Sequence, residues 1–199
     1  STYEALVDPE WKGRILIRSS GNIYNQSLLA SIVAHAGEDA AKTWAEGMVT
    51  NFARRPKGND RDQVKAILAG EGDLAVINTY YLGLLRNATD EQSAKAGNAV
   101  KIFFPNQDGR GTHVNISGIG LAKYAPHAEA ATRLIEYLAS KPVQERFASI
   151  NYEYPANPEA KISEELKSWG SFKEDKLPLT KLGEMNRAAV MTFDVAGWE

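Results

Sequence analysis

The run Leu74-Ala-Val-Ile77 stops at Asn78-Thr79, and a helical pattern carrying Leu82, Leu84 and Leu85 begins at once. Four such residues, set between Gly72-Asp73 and a polar pair, predict a buried strand of a parallel sheet. A strand running straight into a helix is the building unit of an α/β fold. In open sheets of that class, ligands bind beyond the carboxyl ends of the strands. Tyr80 and Tyr81 fall at that junction. Neighbouring side chains on a regular strand point to opposite faces, so adjacent tyrosines share a ligand only where the backbone turns. The helix N-terminus adds a partial positive charge that favours an anion such as phenolate. Taken alone, the pair also suits a packing role, one ring in the core and the other over its edge.

The segments upstream repeat the alternation. A turn at Asp8-Pro9 leads to a strand from Arg14 to Arg18 around Ile15-Leu16-Ile17, and SSGN follows as a loop able to expose backbone N–H groups. A helix is predicted from Tyr24 or Asn25 to Gly37, with Leu28, Leu29, Ile32 and Val33 at helical spacing. His35 reads there as a helix-end or surface histidine. A second helix, Glu38 to Phe52, turns Ala41, Trp44, Ala45 and Met48 inward. The basic cluster Arg54, Arg55, Lys57 and Arg61, balanced by Asp60 and Asp62, reads as a solvated loop. Asn59 or Asp60 then caps a third helix that stops at Gly70.

Beyond Leu85, residues 86–99 read as a polar surface excursion. VKIFFPNQ and VNISGIGLAKY read as strands, the second with Gly118 and Gly120 implying close backbone approach or a bend. Residues 127–150 predict two helices broken at Pro142, with Ala131, Leu134, Ile135 and Leu138 as a core stripe. The segment from Lys161 to Glu199 is helical and amphipathic in parts.

Composition narrows the function classes. At 199 residues, 43% hydrophobic and 24% charged, the chain has the make-up of a globular protein with a real core, as one domain or two. A net charge of −2 gives no electrostatic case for nucleic acid or an anionic membrane. No apolar run is long enough to span a bilayer, and Ser1 to Arg14 holds no hydrophobic signal segment. The absence of cysteine excludes disulfides and thiolate metal sites. G-x-S-x-G, P-loop, HExxH and strand-linked G-x-G-x-x-G motifs are all missing, which disfavours a conventional enzyme. His113 is the one loose candidate for a catalytic base.

What remains unusual is tyrosine after strands: Tyr24 beyond the first, Tyr80 and Tyr81 beyond the later one. If the two strands are parallel neighbours, all three phenols emerge at one sheet edge. Phenol has an unperturbed pKa of about 10, so it ligates only a cation acidic enough to displace its proton. Ferric iron is hard and highly charged, and three phenolates would balance its charge; calcium and magnesium favour carboxylates and carbonyls.

The stretches RSSGNIYNQSLLASIVAHAG, NFARRPKGNDRDQVKAILAGEGDLAVINTYYLG, THVNISGIGLAK and YEYPANP closely resemble the periplasmic ferric-iron-binding proteins of bacterial ABC importers, the FbpA/FutA-like group. The resemblance implies an α/β type II periplasmic-binding-protein fold, kin to the transferrin lobe, and transport without catalysis. It implies Fe(III) ligation by Tyr24, Tyr80 and Tyr81, a synergistic anion such as carbonate near Ser20, Gly21 and Asn22, and a periplasmic location. Its implied partner is an inner-membrane ABC permease, with no nucleic acid and no membrane insertion. Family members extend further on the N-terminal side, where a further ligand, the signal peptide and an anion-holding arginine lie. The expected layout is therefore one nearly complete lobe (residues 1–108, with Pro9 to Pro105 as its body) and a segment, 109–199, belonging partly to the other. The return to that other lobe is expected near Asn115 to Lys123, and self-association of the shortened chain is expected through exposed apolar surface. Many relatives carry serine where Gly21 stands, which leaves the anion open. A same-fold binder of another small ligand, such as a polyamine or sulfate, and a ligand-free fragment are the alternatives.

Overall fold

A computed structural model describes all residues, 1–199. Two short 3-10 turns, Glu4–Val7 and Pro9–Trp11, lead into strand β1 (Ile15–Leu16). Helix α1 (Ile23–Ala36) follows, then α2 (Glu38–Asn51), α3 (Asp60–Leu68), strand β2 (Leu74–Ala75), α4 (Tyr80–Arg86) and α5 (Glu91–Asn98). After a long irregular stretch come α6 (Ala128–Ala139), α7 (Lys141–Ile150), α8 (Glu164–Ser168) and α9 (Leu179–Ala196).

The sheet is small and parallel. Ile15 pairs with Leu74 and Leu16 with Ala75, while Phe52 bridges Ile15 from the other side. Ile15, Leu16 and Ile17 are all buried, as an unbroken β-branched and leucine run predicts, whereas Leu74 to Ile77 are only half covered. Parallel pairing brings the carboxyl ends of β1 and β2 to one edge, where α1 and α4 begin.

The core is helical. Leu28, Leu29, Ile32 and Val33 of α1 meet Trp44, Ala45 and Met48 of α2, and α9 closes over both with Ala189, Phe193 and the following Trp198. Trp198 is held by edge contacts to Phe52 and Phe193, each at 4.8 Å, and by its indole N–H, which donates to the Arg18 carbonyl. Within 109–199, α9 therefore packs on helices of the first hundred residues.

Local signals set the helix ends. The Asn22 side chain accepts from the Tyr24 and Asn25 amides to start α1, and Gly37 at φ 87° ends it. Asn59 and Asp62 form a reciprocal capping box at α3. Pro142 lies in the first turn of α7, so the break between α6 and α7 falls at Ser140.

Four sequence expectations are corrected. Residues 91–98 form a helix, not a surface excursion: Ser93, Ala96 and Gly97 are buried against α4, and a Cβ at Gly97 would lie 2.6 Å from the Arg86 amide nitrogen. Small residues at helical spacing make a packing face without bulk. VKIFFPNQ and VNISGIGLAKY are not strands, because no strand of this chain lies beside them. Phe104 instead stacks on Phe172 at 4.3 Å. In the second segment Ile116 is 64% exposed, and a Cβ at Gly118 or Gly120 would meet nothing within 4 Å. The α6 stripe is not core either: α6 buries no residue and Leu134 stands open, with α7 as its main packing neighbour. The basic cluster is also less solvated than expected. Arg54 is largely covered and pairs with Glu71 at 2.9 Å, and Arg55 pairs with Glu199.

Candidate metal centre

Tyr24 stands in the first turn of α1 and Tyr80 opens α4, so the two strand-to-helix junctions present their phenols to the same space. The Tyr24 hydroxyl is 3.1 Å from that of Tyr80 and 3.4 Å from that of Tyr81. The Tyr80 and Tyr81 rings stack at 4.1 Å, and the turn of the backbone into α4 makes that convergence of adjacent residues geometrically possible. Around a small hard cation held octahedrally at about 2.0–2.1 Å, adjacent ligand oxygens lie about 2.9 Å apart. The two distances from the Tyr24 hydroxyl are thus within about 0.5 Å of the spacing that one shared ion requires. No group of three His, Cys, Asp or Glu side chains elsewhere in the chain is placed to hold a metal.

Tyr80 and Tyr81 hold their protons more firmly than free phenols. Burial pushes the Tyr80 hydroxyl well above the usual phenol range, helped by its hydrogen bonds to Tyr24 and Tyr81. Tyr81 is raised by burial first, then by its bond to Tyr24 and by the nearby Asp60 charge. Two cations face the rings: the Arg18 guanidinium lies 5.7 Å from the Tyr24 ring and Arg61 lies 5.8 Å from that of Tyr81.

Behind Tyr24 is a narrow cleft of about 50 Å³, lined among others by Tyr3, Arg18, Asp60, Asn78 and His113. Asp60 takes a hydrogen bond from Arg18 at 2.8 Å and another from the Asn78 amide at 3.2 Å. Asn115 in turn donates to the Asn78 side chain. His113, the loose candidate base, bonds through Nε2 to the Ser27 hydroxyl at 2.9 Å, and burial lowers its pKa to about 4. His35, read from sequence as a helix-end or surface histidine, lies in the last turn of α1 and meets Asp175 at 2.7 Å.

The expected anion loop sits at the start of α1. The Asn22 amide donates to the Ser19 carbonyl, and its side chain serves as helix cap. The Ser20 amide approaches the Glu199 carbonyl at 3.4 Å, and Gly21 is exposed. Sequence reasoning missed Arg18, Asp60 and Asn78. One signal for Asp60 was present: a carboxylate next to a residue that already caps the helix is free for another partner.

The sequence pattern of the bacterial extracellular solute-binding proteins matches residues 1–174. The chain belongs to that family. This solute-binding chain is 49% identical over its full length to Iron uptake protein A1 of Synechocystis sp., and 45% identical to Iron uptake protein A2 of the same organism. It superposes on the ferric binding protein from Campylobacter jejuni with a TM-score of 0.97 at 43% identity. The Trichodesmium FutA structure, in complex with iron and citrate ligands, gives 0.96 at 47% identity. Its fold is accordingly the type II periplasmic-binding-protein fold, and it is FbpA/FutA-like. All of this chain is covered in each case, against 55% and 58% of the two Synechocystis proteins and 63% of each of the two structures. The solute-binding chain thus spans a little over half the length of its relatives.

Proposed function

We propose that this chain binds ferric iron through Tyr24, Tyr80 and Tyr81, as the solute-binding component of an ABC iron importer, without turning its ligand over. The observation that carries the reading is the meeting of three phenol oxygens from two separate strand-to-helix junctions. Names of the relatives support it: iron uptake and ferric binding recur among them.

Iron is cargo here. Each phenol gives up a proton as the ion arrives, so a trivalent metal leaves the charge of the site unchanged. The helix start at Ser20, Gly21 and Asn22 is the proposed seat of a carbonate-like co-ligand, with the exposed Gly21 backbone its accessible part. We assign the cargo site to a lobe made of residues 1–108 together with α9, and the open segment around Asn115 to Lys123 to the passage toward a second lobe. Closure of two lobes over iron would then favour docking on an inner-membrane permease, because a ligand touching both lobes stabilises the closed form. The place of work is the periplasm, as for the Serratia marcescens relative named an Fe(3+)-binding periplasmic protein. Supplying Fe(III) as a weak chelate tests the reading: uptake of one iron per chain with a visible phenolate-to-iron charge-transfer band supports it, and protein that stays colourless overturns it.

A further inference from the structure

Asp60 is almost wholly enclosed, 1% exposed, and it is an anionic side chain in the interior of a domain. Its position explains the burial. It stands at the first residue of α3, but the capping box is made by Asn59 and Asp62, so the Asp60 carboxylate plays no part in capping its own helix. One oxygen receives Nη1 of Arg18, two residues past the end of β1. The other receives the backbone amide of Asn78, two residues before Tyr80.

Those two partners lie on the two arms that bear the phenols. On the first arm, the Arg18 carbonyl accepts from the Asn25 side chain at 2.7 Å, which ties it to the residue after Tyr24. The Arg18 guanidinium also faces the Tyr24 ring. On the second arm, Asn78 leads through Thr79 directly into Tyr80 and Tyr81, and the Tyr81 amide donates back to the Asn78 carbonyl. Between β1 and β2 the ladder covers only two residues of each strand, and its last bond joins the Val76 amide to the Leu16 carbonyl. Past that point, the Asp60 carboxylate grips both arms at once.

We infer that Asp60 is a positioning residue for the phenol cluster: by bonding Arg18 and the Asn78 amide together it sets the distance between Tyr24 and the Tyr80–Tyr81 pair. The inference rests on the ferric reading above. A shared ion samples that distance directly, since a shift of one arm by about 1 Å removes one oxygen from reach of an ion that the other two still hold. Asparagine in place of Asp60 keeps the shape and can still accept from Asn78. With its single acceptor oxygen on the Asn78 amide it sets an N–H against Arg18, and turned the other way it sets an N–H against the Asn78 amide, so one of the two arms is released in either orientation.

The test compares wild type, Asp60→Asn and Asp60→Glu in Fe(III) titrations, reading affinity and the energy and intensity of the charge-transfer band per bound iron. The far-UV circular dichroism of each variant is recorded alongside. Asp60→Asn is expected to lose about tenfold or more in affinity, with a weaker and shifted band, and Asp60→Glu to recover part of both. Should the unpaired Arg18 unfold Asp60→Asn, the double variant Arg18→Gln/Asp60→Asn takes both charges out of the interior and is read in its place, with the same loss expected. A wild-type band that persists unchanged in energy, intensity and affinity in the folded variant overturns the positioning role. A wild type with no band overturns the ferric reading instead.

Discussion

The hydroxyls of Tyr24 and Tyr80 lie 3.1 Å apart although 56 positions separate the two residues in sequence. One sits at the start of the helix after β1 and the other at the start of the helix after β2, so parallel pairing of two short strands produces the contact. A hydrogen bond between two neutral phenols is an ordinary interaction. Three such groups share one space, two of them with pKa values displaced upward, and in the proposed reading a trivalent cation displaces their protons.

Iron affinity follows from that exchange. Each phenol that ligates must first lose its proton, and a phenol with an unperturbed pKa of about 10 carries that proton near neutrality. The apparent binding constant should therefore fall by about three decades per unit decrease in pH, one for each proton returned. Competition against a chelator of known affinity between pH 6 and 8 gives the slope. A slope near zero would mean that the tyrosines are not the ligands.

Alkali acts in the opposite direction on the metal-free chain. Tyr80 and Tyr81 have folded pKa values above that of an exposed phenol, so the stability they contribute is complete below about pH 10 and is lost as pH rises toward their folded values. Urea unfolding at pH 9 to 11 should show falling stability in wild type, and a smaller fall in Tyr80→Phe.

His113 makes a second pH signature, at the acid end. Its folded pKa of about 4 lies below the ordinary histidine value because burial penalises the imidazolium, although Asn115 and Asp175 pull the other way. The unfolded chain takes up this proton first. Stability is thus intact above about pH 6.5 and declines as pH falls toward 4, by on the order of 2–3 kcal/mol. His113→Gln should remove that part of the acid sensitivity, as measured by urea unfolding between pH 4 and 7.

Gly83 is set one turn into α4, with its Cα hydrogen against the Tyr152 ring. An alanine Cβ would lie 2.3 Å from Tyr152 Cγ, so Gly83→Ala must push α4 and Tyr152 apart. The expected cost is about 1–3 kcal/mol in a urea titration, with a loss of iron affinity because Tyr80 and Tyr81 ride on the same helix.

Much of this architecture was legible in the sequence wherever local chemistry decided it. The Asn22 cap, the stop at Gly37 and the strand-to-helix change at Asn78-Thr79 all fall where residue pattern places them. The parallel neighbourhood of the two strands, raised from sequence only as a condition, is met. Residues 100–107 and 114–124 were misread because a β-rich segment becomes a strand only beside a partner, and the pattern does not state whether one exists. The α6 stripe failed for the same reason. Helix α5 was overlooked since alanine, serine and glycine pack closely without looking apolar. Asp60 was hidden more deeply: its role depends on two partners, 42 and 18 positions away, that only the folded chain brings together.

The proposed ligation of one ferric ion by three phenolates is read from the intensity of the charge-transfer band per bound iron in Tyr24→Phe, against wild type and Tyr80→Phe/Tyr81→Phe. The band should be weaker and shifted when Tyr24 is replaced and absent when both neighbours are lost. A Tyr24→Phe protein whose band matches wild type in energy and intensity would contradict it.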